Sequence, residues 1–181
     1  MKNQIGEQAK FWRDSSLSNL ELLRATYITH SFARHTHETF AIGVVDAGVE
    51  EFTYQGALHQ APADSIVIVH PGEVHTGQAG IPTGWTYRMF YPDVSLLQSA
   101  VGELSDRSRV IPYFPQPVID DRNLANQLRH LHHALETSDS RLERESCWLW
   151  TVAQLVNRYA ENRPMFRAIR QEQRVIQQVQ D

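Results

Sequence analysis

Cysteine is almost missing from this chain. Cys147 is the single one among 181 residues, so no internal disulfide can staple the fold, and a cytoplasmic location is expected. Long apolar runs are missing as well. Nothing approaches the ~18 residues that a membrane-spanning helix needs, so no membrane contact is expected. The opening M-K-N-Q-I-G-E-Q-A-K has no apolar stretch and no secretory character. There is no excess of positive charge. Lys and Arg number 17 against 21 Asp and Glu, giving a net charge of −4 and a pI near 6.1. A domain that holds DNA unaided is usually basic on at least one face, so DNA binding by this chain alone is not expected. Signatures of catalysis are absent too: no G-x-S-x-G elbow, no phosphate-cradling glycine loop and no Ser/His/Asp pattern. Cys147, between Ser146 and Trp148 in a helical stretch, reads as a packing residue rather than a nucleophile. The expectation is a protein that is not an enzyme and needs no cofactor.

What is present is a series of short β-rich runs. Glu21–Ile28, Phe40–Val45, Glu50–Tyr54, Ser65–Val69 and Thr86–Tyr91 are rich in aromatic and β-branched residues. Turn residues separate them: D-A-G at 46–48, Q-G at 55–56, P-A-D at 62–64, P-G at 71–72 and I-P-T-G at 81–84. Several short strands with regular turns predict an antiparallel barrel or sandwich rather than a parallel α/β sheet. Residues 1–19 read as a flexible arm, packed loosely or closing over a pocket.

The pattern changes near residue 111. I-P-Y-F-P-Q-P predicts an extended linker over 111–119, preceded by a short helix over 94–101. Leu124, Leu128, Leu131 and Leu135 then recur at helical spacing, with Asp120 or Asp121 as a candidate cap. S-D-S at 138–140 separates this helix from a second. There Leu142, Leu149 and Val156 are seven apart, as are Val152 and Tyr159, and Trp148 and Leu155 add a further apolar edge. A helix apolar around so much of its girth predicts a homodimer. Leu128, Leu131, Leu135, Leu142, Leu149, Val152 and Val156 are the candidate dimerisation residues. Pro164 opens a further helical pattern through Phe166, Ile169, Ile176 and Val179. It stops at Asp181 in mid-pattern, which reads as a truncation.

The histidines carry the chemistry. His35 and His37 are two apart, so a strand would point both to one face, followed by the small residues Thr39, Ala41 and Gly43. His75 follows the P-G turn and can point into the same cavity. Three neutral imidazoles would suit zinc, iron, copper or nickel. The blander expectation is polar pocket wall. His59 and His70 read as turn or surface residues, and His130, His132 and His133 as solvated. In G-W-T-Y-R-M-F-Y at 84–91, alternation places Trp85, Tyr87, Met89 and Tyr91 on one face, as a pocket or a core. Arg24 and Arg88, within strand-like runs, could each meet a carboxylate.

The order of these features resembles a cupin, and more narrowly the N-terminal effector-binding domain of AraC-type transcription regulators. The residues that carry the resemblance are His35, His37, Gly48, Gly56, A-P-A-D before S-I-V-I-V, P-G-E-V-H at 71–75, the 84–91 strand and the leucine-rich helices. The resemblance implies a mainly β fold: a cupin-like antiparallel barrel (a double-stranded β-helix or jelly roll) over 20–110, followed by an antiparallel pair of dimerisation helices over 120–162. It implies a small-molecule effector contacting Arg34, His35, His37, His75, Trp85, Tyr87, Met89 and Tyr91. It also implies that 163–181 leads into a helix-turn-helix DNA-binding domain outside this sequence, through which alone DNA would be reached. Metal cupins follow H-x-H by a glutamate after three or four intervening residues. Here those positions hold Ala41 and Ile42, so no metal is expected. A stand-alone metal-dependent cupin enzyme using His35, His37 and His75 is the alternative.

Overall fold

The computed structural model describes residues 6–105 and 110–164. Among these, the strands are β1 (Gln8–Asp14), β2 (Leu20–Tyr27), β3 (Phe32–His35), β4 (Ala41–Tyr54), β5 (Ala57–Pro62), β6 (Ser65–Val69), β7 (His75–Ala79), β8 (Trp85–Tyr91) and β9 (Val118–Asp120). The helices are α1 (Val94–Leu104), α2 (Arg122–Thr137) and α3 (Arg141–Tyr159). All strand pairs are antiparallel. One sheet runs β1-β2-β8-β4-β6-β9; the other joins β5, β4, β7 and β3. The long strand β4 belongs to both. The chain is a mainly β, cupin-like fold with helices packed on its outer face.

The D-A-G stretch does not turn the chain, as its composition predicts. It bends one strand. The register of β4 against β8 shifts between Val45 and Ala47, a bulge, and Gly48 beside it has φ +75°. A Cβ at Gly48 would lie 2.0 Å from the Gly84 carbonyl oxygen, so glycine is required there for conformation and for space.

Strand alternation sorts the apolar side chains into two cores. Leu22, Ile42, Val44, Ile66, Ile68 and Phe90 face the helices, where Leu97, Leu124, Leu131 and Leu155 cover them. Val45, Phe52, Val67, Val69, Trp85, Tyr87 and Met89 face the barrel interior. The run S-I-V-I-V is therefore buried on both faces, which is why it carries no polar alternation.

The helices start where short polar side chains accept the first free amides. Asp93 accepts from Leu96 N–H (2.7 Å), Asp121 from Leu124 N–H (3.0 Å) and Ser140 from Glu143 N–H (3.3 Å). Of the two expected caps on α2, Asp121 is the one used.

Three expectations change. The arm is no loose segment over 8–14: it is β1, paired residue for residue with β2 and pinned to α2 by Lys10–Glu136 (2.8 Å). Residues 1–5, the rest of the expected arm, lie outside the described ones. The proline-rich stretch is packed, not a free linker. Phe114 is buried, Pro117 accepts from Ile68 N–H (2.9 Å), and Val118–Asp120 completes the sheet edge beside β6. The candidate dimerisation residues Leu128, Leu131, Leu135, Val152 and Val156 are buried inside the chain's own core, because α2 and α3 spend those stripes on each other and on the sheet. Of the seven, only Leu142 is fully exposed, and Leu149 is half-buried. The helical pattern from Pro164 onward lies outside the described residues, apart from Pro164 itself.

Candidate functional site

The two sheets enclose a cavity of about 70 Å³. Three of its walls are the expected histidines. His35 ends β3 and pairs across the ladder with His75, which opens β7. His37 lies just beyond the strand, not on it, and its carbonyl accepts from Gly72 N–H (2.8 Å), so the P-G turn holds it in place. Ring centroids are 4.2 Å apart for His35–His75, 4.9 Å for His35–His37 and 5.1 Å for His37–His75. Their ligand nitrogens all fall within 4.8 Å of one another.

Local hydrogen bonds fix the tautomers. His35 Nδ1–H donates to the Ala33 carbonyl (2.8 Å), and His75 Nδ1–H donates to the Glu73 carbonyl (3.1 Å). A carbonyl only accepts, so in the neutral rings Nε2 is left as a lone pair. Burial, and then the neighbouring His75 and His35, push the His37 imidazole down to about 4. Burial likewise lowers His75. At neutral pH the His37 and His75 rings are therefore held uncharged.

Glu50 is the residue that the sequence reading missed. It is only 8 % exposed, lines the same cavity, and its Oε2 has no hydrogen-bond partner among the described residues. Burial pushes its carboxyl up to about 8. The signal was available in E-E-F-T-Y. Glu50 shares parity with the buried Phe52 and Tyr54, whereas Glu51 shares parity with Thr53 and meets Gln60 and Gln78 outside.

Tyr87, Met89 and Tyr91 line the cavity as expected, with both phenols raised by burial. Trp85 does not line it. It is buried in the aromatic cluster beneath, 5.3 Å from Tyr27 and 5.8 Å from Tyr87 between ring centroids. Arg34 is exposed on β3 and is outside the cavity wall, because its neighbour His35 takes the inward position. Ala41 lines the cavity, but the space above Gly43 is filled: a Cβ there would lie 2.0 Å from Met89 Sδ.

His132 contradicts its solvated reading, whereas His70 opens the 70–73 turn as expected but is not on the surface. His132 is fully buried, edge-on to Trp12 and Phe90, and donates from Nε2 to the Leu23 carbonyl (3.3 Å). Burial, then Arg88, pushes it down to about 4. His70 is half-buried and stacked on Tyr113; its Nε2 accepts from Phe114 N–H (3.0 Å), leaving Nδ1–H for the Tyr54 hydroxyl (2.9 Å).

Behind the cavity, β8 turns its alternate side chains to the helices. Arg88 meets Asp46 (2.8 Å), and Asp46 also accepts from Arg129 of α2 (2.8 Å), which reaches Asp64 (2.8 Å). Arg24 pairs with Glu136 of α2 (3.2 Å). Each of the two arginines in strand-like runs thus finds a carboxylate.

The family model for the AraC-like ligand binding domain matches residues 17–152. An uncharacterized HTH-type transcriptional regulator, YbfI of Bacillus subtilis (strain 168), is 22 % identical over 143 residues, covering 79 % of this chain and 52 % of that protein. The chain thus spans about half the length of this relative. Among solved structures, the oxalate decarboxylase of Bacillus subtilis superimposes with a TM-score of 0.42, 16 % identity, 49 % of this chain and 25 % of that one. KdgF from Halomonas sp. gives 0.41, 19 % identity, 51 % and 85 %.

Proposed function

Because the chain belongs to the AraC-like ligand-binding domain family, we propose that it senses a small-molecule effector and is not an enzyme. The observation that carries this is the enclosed cavity, with Glu50 and three imidazoles on walls that are otherwise mostly apolar and aromatic. A pocket of this make-up binds and orients a ligand.

The effector would act through β8. Tyr87 and Met89 touch the cavity, and Arg88 between them meets Asp46, which also holds Arg129 of α2. A ligand that binds one arrangement of β8 better than another shifts the helices with it. DNA would be contacted by a region outside these residues, in keeping with the length of the relative. Homodimerisation would use the outer face of α3, where Leu142 is 75 % and Trp150 55 % exposed.

The test is a ligand screen by thermal shift on the chain and on His35→Ala, whose half-exposed site tolerates truncation. A hit is expected to raise Tm in the parent and to bind at least tenfold more weakly to the variant. Hits indifferent to His35→Ala and to Tyr87→Phe would sink the cavity as the sensor. For the dimer, sedimentation is expected to give a Trp150→Glu monomer from a parent dimer.

A second reading rests on the histidine geometry. Nitrogens within 4.8 Å, two of them with the opposite ring nitrogen held by a carbonyl, form a donor set that fits zinc or a similar divalent metal. His35, His37 and His75 would hold the ion, which would supply Lewis acidity to a metal-dependent enzyme. Stoichiometric metal in the purified protein, lost in His75→Ala, would favour this reading over the sensor.

A further inference from the structure

We infer that the ligand of this cavity is a small organic cation, a primary amine or amidine, docked through its N–H groups against Glu50. The inference rests on the effector reading and narrows its chemistry.

The wall contains no Lys or Arg among the described residues. Its polar groups are the hydroxyls of Thr76, Tyr87 and Tyr91, the three imidazoles and Glu50. Glu50 Oε2 is sealed from solvent without a partner among the described residues. His35 and His75 each spend Nδ1–H on a carbonyl and keep a lone pair at Nε2. An anionic ligand would meet a carboxyl group and aromatic faces with no counter-charge, and burying an unpaired charge is strongly unfavourable. A ligand that only accepts hydrogen bonds would bring no donor to the Nε2 lone pairs of the neutral rings. An ammonium or amidinium group supplies donors to these atoms, and its charge beside Glu50 favours loss of the carboxyl proton, so that the buried carboxylate forms already paired.

The apolar walls fit the same ligand. Phe32, Phe52 and Tyr87 line the cavity together with Glu50, and a cation over an aromatic face is attracted by the ring quadrupole. Size sets an upper limit. At ~10–15 Å³ per water on this measure, a cavity of about 70 Å³ holds about five or six waters. The enclosed part of the ligand is therefore an amine of about that many heavy atoms. Any larger remainder would extend past His37 and Tyr91, which also border the open polar groove beside Glu21 and Asp93.

The experiment compares isosteric sets on the whole chain at pH 7: butylammonium, isobutylammonium and propionamidinium against the matching alcohols and carboxylates, with Zn²⁺ in a separate arm. Binding is read from chemical-shift changes of amides in β4, β7 and β8. The cations are expected to bind at least tenfold more tightly than their alcohols, with no binding of the carboxylates. Glu50→Gln is expected to erase that preference. Alcohols or carboxylates binding as well as the cations would overturn the ligand class and leave the sensor reading standing. No shift in β4, β7 or β8 with any probe would count against both. Zn²⁺ binding that excludes the cations and survives Glu50→Gln would assign the cavity to a metal. Should Glu50→Gln fail to fold, the comparison among probes on the parent decides alone.

Discussion

Glu50 holds a proton in the folded chain up to about pH 8, whereas its ordinary value is 4.5. Between those values the unfolded chain releases the proton and the folded chain does not, so stability falls as pH rises. At pH 7 the cost is about 3 kcal/mol. Glu50→Gln is therefore expected to melt several degrees above the parent at pH 7.5 and level with it near pH 4.5, in a Tm-against-pH series. His132 works in the opposite sense. Its imidazole is held down to about 4 against an ordinary 6.5, so below pH 6.5 the unfolded chain takes up a proton that the folded one refuses. Its stabilising contribution is complete above 6.5 and is lost towards pH 4. His132→Gln is expected to flatten the acid limb of the same series. These two residues also mark what sequence can and cannot reveal. Glu50 was legible from strand parity with Phe52 and Tyr54. His132 was not: its neighbours His130 and His133 are both exposed, and only the placement of α2 over Trp12 and Phe90 tells it apart.

At the level of elements, local chemistry was a good guide where one strand or helix could be read alone. Ser65–Val69 and the leucine stripe of α2 lie where their patterns place them. It failed where a partner elsewhere in the chain decides. D-A-G has turn composition, yet opposite β8 it becomes a bulge. I-P-Y-F-P-Q-P has linker composition, yet Phe114 finds the core and β9 finds β6. The apolar excess of α3 predicts an intermolecular face, yet most of it is consumed within the chain. Two predictions belong to these elements. Gly48→Ala forces a side chain into the Gly84 carbonyl at φ +75°, and is expected to cost about 2–3 kcal/mol in urea unfolding. Asp46→Ala strands Arg88 and Arg129 together. It is expected to cost about 2–3 kcal/mol and to speed amide exchange in α2 more than in β6.

Taken as a whole, the molecule has its cavity on one side of the larger sheet and its helices on the other. The order of motifs was enough to read that architecture, since barrel and helices follow one another along the chain. The meeting of Glu50 with the three histidines was not readable, because it depends on β3, β4, β7 and β8 coming together in space. Both cores share β4 and β8, so thermal unfolding is expected to give one transition, with tryptophan fluorescence and far-ultraviolet dichroism coincident; separate midpoints would show independent units. The sharing has a mechanical side. Ala41–Val44 of β4 is stitched to β6, and Val49–Tyr54 of the same strand to β5. The two leaves of the barrel are thus joined by peptide bonds along one continuous rod. They cannot part like the covers of a book. The kink at Asp46–Gly48 is where the rod passes from one leaf to the other, so a change of angle between the leaves bends the chain there, and the Asp46 carboxylate that grips α2 sits at that bend.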